Sequence, residues 1–155
     1  MSSISLIQKE ISINNFKKVK RISKIGCGFR YIVEKKTTSD LFVAKTFDCY
    51  DDEEQCNIII KHDINKIIAK NHPTIVKFIG YSKFDFQGDK NITILMEYAI
   101  NGSLANILQK VRENNIPPNY TNTTRQIILV GICDGMKYLH EHKIIHNSLH
   151  PNNIL

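Results

Sequence analysis

"FKKVKRISKIGCGFRYIVEKKTTSDLFVAKTF", residues 16–47, is the stretch whose reading decides the fold. It divides into three β-rich runs: an imperfectly alternating 16–25, a second at 31–36 and an apolar, β-branched third at 41–47. The first two meet at "GCGF" and the second and third at the polar cluster "TTSD", so both connections are short. Consecutive strands joined by short turns form an antiparallel meander. The Lys- and Arg-rich "FKKVKR" (16–21), with Phe16, Val19 and Ile22 interleaved, reads as a strand with a solvated face rather than a nucleic-acid or membrane patch.

Working outward, "DCYDDEE" (48–54) puts acids where a helix N-terminus favours them. Ile58, Ile59, Asp63, Ile64, Ile67 and Ile68 then recur at helical spacing until "NHP" (71–73) stops the run. Two further strands follow, 75–86 (with a break expected) and 91–99, joined by "QGDK". Residues 101–111 form a short helix, Pro117 and Pro118 hold a loop, and 123–143 form a long helix capped by Asn122 or Thr123. The expected class is α+β: a five-stranded antiparallel sheet with one helix, then helices.

The 155 residues are about one domain, and 42% apolar with 23% charged residues is the composition of a soluble globular protein. The net charge of +6 is scattered. Cys27, Cys49, Cys56 and Cys133 lack CxxC spacing, and "MSSISLIQKEISINN" forms no signal-peptide core. A cytoplasmic chain with reduced, mostly buried thiols is expected. In the long helix Ile127, Ile128, Leu129, Val130, Ile132 and Cys133 take nearly every azimuth, so it expects cover on all sides, from a protein partner or a second copy.

Chemistry enters at "IGCGFRYIV" (25–33), whose Gly-x-Gly lets a backbone approach a phosphate, although a tight turn alone also calls for glycine. His140, His142, His146 and His150 lie close in sequence, but Pro151 marks loop by then, and a metal site is not expected. Ser148 and His150 stand two apart with no orienting acid in view, too little for a nucleophile pair.

The order of these features resembles the protein kinase family over residues 16–155: glycine hairpin, strand lysine, helix acid, "NHPTIVKFIGYS", "MEYAINGSL", "GMKYLHEHKIIH" and "NNIL". The phrases look most like the tyrosine-kinase-like group of serine/threonine kinases. The resemblance implies a small lobe at 16–98 after a leader at 1–15, a hinge at 99–102 and the start of a large lobe at 103–155, with truncation after the catalytic loop.

By that resemblance Gly26 and Gly28 match the first two loop glycines, and Tyr31 stands in place of the third, where its bulk is expected to crowd the phosphates. Arg30 falls where an aromatic closes the loop, with Phe29 beside it. Val33 matches the valine over adenine, Val43 replaces an alanine, and Lys45 matches the lysine on the α- and β-phosphates of ATP. Asp63 stands for that lysine's Glu partner, Met96 for the gatekeeper, Glu97 to Ala99 for the hinge, and Leu155 for the residue under adenine. Ile67, Phe78 and His146 fall in the internal regulatory column.

The catalytic loop departs from the family pattern H-R-D-x-K-P-x-N. The proton-accepting Asp is Ser148, the Lys is His150, and the Arg is Asn147. A general base contributes roughly 100- to 10,000-fold, so a phosphotransferase built on Ser148 is expected to be deeply impaired. Asn153 remains as a weak ligand for Mg²⁺, which prefers carboxylate and phosphate oxygens; without the D-F-G Asp, one neutral amide is expected to hold Mg²⁺ poorly.

Overall fold

A computed structural model describes residues 10–25, 28–48 and 72–155. The expected helix that carries Asp63 and Ile67, as well as Gly26, Cys27, Cys49 and Cys56, lies outside the described residues. Two compact units emerge. One comprises residues 10–48, where described, with Lys77–Tyr98; the other comprises 72–76 and Ala99–Leu155.

The first unit is a five-stranded antiparallel sheet: β1 (Phe16–Ile25), β2 (Gly28–Lys35), β3 (Leu41–Phe47), β4 (Phe78–Ser82) and β5 (Thr93–Glu97), in spatial order β1-β2-β3-β5-β4. The imperfect alternation of β1 has a physical cause. Its pairing with β2 shifts between Lys18 and Lys20 and again between Arg21 and Ser23. Each bulge leaves one residue without a partner across the ladder. The two residues are Val19 and Ile22, and both are exposed, so only Phe16 of the expected apolar set enters the core.

On one face of the sheet Val33, Ala44 and Leu95 are 0% exposed and pack with Ile13 and Phe16. Ile11, Tyr31, Phe42, Ile79 and Phe86 extend the cluster, and the rings of Phe16 and Phe42 meet edge-on at 5.7 Å. Residues 10–15, which the sequence reading sets apart as a leader, pack against this sheet: Glu10 bridges Tyr81, the Ile11 N–H donates to the Tyr81 carbonyl at 2.8 Å, and Ile13 is buried. Thr46 and Thr93 continue the same face with a buried hydroxyl pair at 3.1 Å.

In the run over 75–86, where a break is expected, the strand spans Phe78–Ser82 and gives way to a turn that Asp85 organises. Its Oδ1 accepts from the N–H groups of Gln87 (2.8 Å) and Asp89 (3.1 Å), and its Oδ2 accepts from Asn91 Nδ2 at 3.0 Å. A buried carboxylate is tolerated here because both oxygens are satisfied.

In the second unit α1 spans Leu104–Arg112 and α2 spans Asn122–Glu141. Ser103 starts α1, with Asn106 Oδ1 accepting from both its N–H (3.0 Å) and its hydroxyl (2.7 Å). The cap of α2 is Thr121, one residue before the earlier of the two expected, because its Oγ1 accepts from the Thr124 N–H at 3.2 Å. Gly135 and Leu139 are the buried residues of α2; a Cβ at 135 would stand 3.0 Å from Thr74 Oγ1. His72 stacks on Tyr138 at 4.3 Å, and Tyr138 on His142 at 4.2 Å. Ile127, Leu129 and Val130 are 65%, 62% and 67% exposed. Cys133 is exposed, while the other three cysteines, of which most are expected to be buried, lie outside the described residues. Among the described residues no helix is long and apolar enough to cross a membrane.

Candidate functional site

The β2–β3 ladder is unbroken from Gly28 opposite Phe47 to Glu34 opposite Leu41. Side chains alternate between faces along a strand, and directly opposed residues share a face. Val33, opposite Phe42, therefore lies on the face away from Lys45. It is enclosed in the core, which corrects its expected place over adenine beside that lysine.

Tyr31, opposite Ala44, sits on the core face as well. It packs on Phe86 at 6.0 Å beneath the Lys18 ammonium at 5.1 Å, so its bulk is directed away from Lys45 instead of crowding the phosphates. Phe29, opposite Thr46, shares that face under the Arg21 guanidinium.

The residue directly across from Lys45 is Arg30. Continuing over the sheet, Lys45 opposes Ile94 and Ile94 opposes Tyr81. One step along the strands, Ile32, Val43, Met96 and Phe78 form a parallel apolar row on the same face. Ile32, Val43 and Met96 are half-buried, whereas Val33, Ala44 and Leu95 on the other face are closed. The Lys45 face thus has a partly open apolar strip adjoining two cations.

Lys45 Nζ stands 4.2 Å from the ring centroid of Phe47, two residues along the same face. The Arg30 Nε is buried and makes no hydrogen bond. Burial pulls the Arg30 guanidinium below the usual arginine range. Glu34, an acid on the same face of β2, is engaged with Lys17 at 3.2 Å.

Gly28 has a reason internal to the sheet: a Cβ there would lie 2.1 Å from the Thr46 carbonyl oxygen. This need for glycine comes from strand packing, which the sequence reading, weighing a phosphate approach against a tight turn, did not consider. Glu97 is exposed on the Phe42 side of β5, where its Oε1 accepts from the Lys77 N–H at 2.7 Å. Phe78 is buried in the first unit, and Ala99 and the exposed Leu155 belong to the second.

In the second unit the loop at 146–153 is gathered around Asn153. Its Nδ2 reaches the Ser148 carbonyl at 2.9 Å, Ser148 Oγ at 3.1 Å and His150 Nε2 at 3.0 Å. His146 Nδ1 accepts from the Ser148 N–H at 3.2 Å, and the Ile154 carbonyl accepts from the Leu104 N–H at 2.8 Å, tying the loop to the start of α1. Ser148 Oγ faces an amide donor, which has no capacity to take its proton. His150 Nε2 faces the same amide, so Ser148 and His150 are arranged as neighbours of Asn153 instead of as a nucleophile and its base.

The donor sets differ in what they fit. An anionic ligand with a flat apolar group suits the Lys45 face. For a divalent cation, Asn153 turns its amide nitrogen to the Ser148 carbonyl. Among the described residues no group of three or more His, Cys, Asp or Glu could hold a metal ion, and His140, His142, His146 and His150 form no such site.

Sequence reasoning missed Arg30 and Ile32 as members of this face. The signal was present in the hairpin closure: the Lys35 N–H donates to the Asp40 carbonyl, and counting back along both strands from there sets Arg30 against Lys45.

Comparison with known proteins bears on this geometry. The family model of the protein kinase domain matches residues 16–155. A probable leucine-rich repeat receptor-like serine/threonine-protein kinase of Arabidopsis thaliana is 34% identical over 100% of this chain and 15% of its own length. A probable serine/threonine-protein kinase of Dictyostelium discoideum is 34% identical over 98% of this chain and 31% of its own. A probable serine/threonine protein kinase of the IRE type, also from Arabidopsis thaliana, is 29% identical over 97% of this chain and 14% of its own. The chain therefore spans between 14% and 31% of the length of these three relatives.

Proposed function

From the premise that this chain belongs to the protein kinase domain family, we propose that it is a serine/threonine-kinase-like ATP-binding domain that does not transfer phosphate. The observation that carries the reading is the shared face of β2, β3 and β5. Lys45 stands there beside the half-buried Val43 and Met96, a cation for phosphate next to an apolar bed for a purine. When bound, ATP supplies the phosphoryl group that the family's chemistry transfers.

The second half of the reading rests on Ser148 and His150. A hydroxyl hydrogen-bonded to an amide offers no general base, and an exposed imidazole replaces a permanent cation. The tyrosine-kinase-like character of "NHPTIVKFIGYS" and "MEYAINGSL" makes that group the proposed affiliation; the polar residues that break up "MSSISLIQKEISINN" and the cysteines without CxxC spacing support the cytoplasm as the proposed location.

Thermal shift of the purified chain with ATP, with and without Mg²⁺, tests the binding half. ATP raises the melting temperature of the natural chain, and Lys45→Ala removes that rise. A shift unchanged by Lys45→Ala would remove the assignment. A peptide-phosphorylation assay on the same preparation is expected to stay at background.

A second reading, a protein-interaction module, is supported by the exposure of Ile127, Leu129 and Val130 on α2. Size-exclusion chromatography at two concentrations tests it through self-association. A single monomeric elution volume at both counts against it.

A further inference from the structure

On the Lys45 face, Arg30 is the feature that the ATP-binding reading does not use. Arg30 stands directly opposite Lys45 on the neighbouring strand, so the two cationic side chains share one face of the sheet. The Arg30 Nε is moreover buried without a hydrogen-bond partner, and a buried donor left unpaired is costly. Glu34, the acid two residues further from Arg30 than Ile32 on the same face of β2, is paired with Lys17. Burial also lowers the guanidinium's hold on its proton.

An anion seated beside Arg30 on this face supplies the acceptor that its buried Nε–H lacks. Guanidinium offers a planar fork matched to phosphate oxygens, and its Nε–H with one terminal N–H makes a bidentate contact that an ammonium cannot. The apolar row Ile32–Val43–Met96 begins one side-chain step away, about 6.6 Å along the strand, so the site continues from an apolar bed into paired positive charge.

We propose that Arg30 is a second phosphate ligand, forming with Lys45 a two-cation seat for the polyphosphate of a nucleotide. The inference rests on the ATP-binding reading for the nucleotide, while the seat itself takes any polyphosphate.

The experiment is calorimetric titration of the full chain in EDTA with ATP, adenosine and inorganic tripolyphosphate, comparing the natural protein with Arg30→Gln. ATP and tripolyphosphate each bind at least ten-fold more weakly to R30Q, while adenosine binds equally to both. In the absence of ligand, R30Q melts no lower than the natural protein, because the buried Nε–H that the substitution removes has no hydrogen bond to lose. Should R30Q fold poorly, Arg30→Lys keeps the charge but not the fork and binds tripolyphosphate at least about three-fold more weakly than the natural chain, and equal affinity overturns the bidentate contact.

The outcomes separate the two ideas. Equal ATP affinity in R30Q overturns the role of Arg30 and leaves the ATP-binding reading standing. Failure of the natural chain to bind ATP or adenosine overturns that reading, and the ten-fold loss of tripolyphosphate in R30Q then decides Arg30 alone. Failure of the natural chain to bind tripolyphosphate overturns the seat altogether.

Discussion

The Thr46 carbonyl oxygen lies 2.1 Å from where a side chain on Gly28 would begin, and the Cα of Phe47 lies 3.2 Å from the same point. Both neighbours are backbone of β3, in register with β2, so neither can swing aside. Gly28→Ala forces the two strands apart at the end of the ladder that carries Arg30 and Lys45. The expected cost is about 1–3 kcal/mol of unfolding free energy, the range for overpacking a well-fitted site. Chemical denaturation measures it, and a variant as stable as the natural protein would contradict the register. Loss of ligand binding in Gly28→Ala therefore reports on the sheet first.

Val33 and Val43 are ten residues apart and lie on opposite faces of the sheet, so the same substitution does different things. Val33 is fully enclosed beside Phe16 and Ala44, and Val33→Ala is expected to cost about 1–3 kcal/mol through lost burial and a cavity. Val43 is half-buried on the Lys45 face, and Val43→Ala is expected to cost less than Val33→Ala while changing adenosine affinity. Denaturation curves paired with adenosine titration check both. The reverse pattern would return Val33 to the ligand site.

The same pair explains what the sequence made legible. The bounds of β1 and β3 were readable from β-rich runs flanked by turn residues, and α2 from its caps and length. Which face a residue occupies was not, because matching a spaced motif aligns positions in order and is blind to parity along a strand. One residue of offset moves a side chain through the sheet, which is how Ile32 comes to stand beside Val43 where Val33 is expected. The bulges in β1 are a second case. Val19 and Ile22 look like core residues by composition, and only the pairing shifts expose them. The catalytic loop shows the converse, since Ser148 and His150 were legible as departures, while the amide of Asn153 that holds them together depends on a turn no pattern specifies.

Asp85 is predicted to be the most sensitive polar residue of the first unit outside the Lys45 face. Its carboxylate is buried and takes the N–H groups of Gln87 and Asp89 and the amide of Asn91. Asp85→Ala leaves these donors to find other partners, at an expected cost of about 1–3 kcal/mol. Asp85→Asn retains the shape and one acceptor oxygen, and is expected to lose less. Urea denaturation ranks the pair, and equal stability of Asp85→Ala and the natural chain would mean that the turn is held by other bonds.

Asn153 is expected to behave differently, as a local tether. Its three acceptors, the Ser148 carbonyl, Ser148 Oγ and His150 Nε2, all lie within five residues of it, and two N–H groups serve all three. Ser148 and His150 are exposed, so water replaces the lost amide at little cost. Asn153→Ala is therefore expected to change global stability by less than about 1 kcal/mol, since surface substitutions rarely do more. The loop itself should open more often: the Ser148 N–H, which donates to His146 Nδ1, is held in place by the geometry that Asn153 closes. Amide hydrogen exchange at Ser148 is expected to quicken several-fold in N153A while the amides of β3 exchange as before. Unchanged exchange at Ser148 would show that the loop keeps its shape through the Leu104–Ile154 bond alone, and a drop in global stability would make Asn153 part of the unit's core architecture.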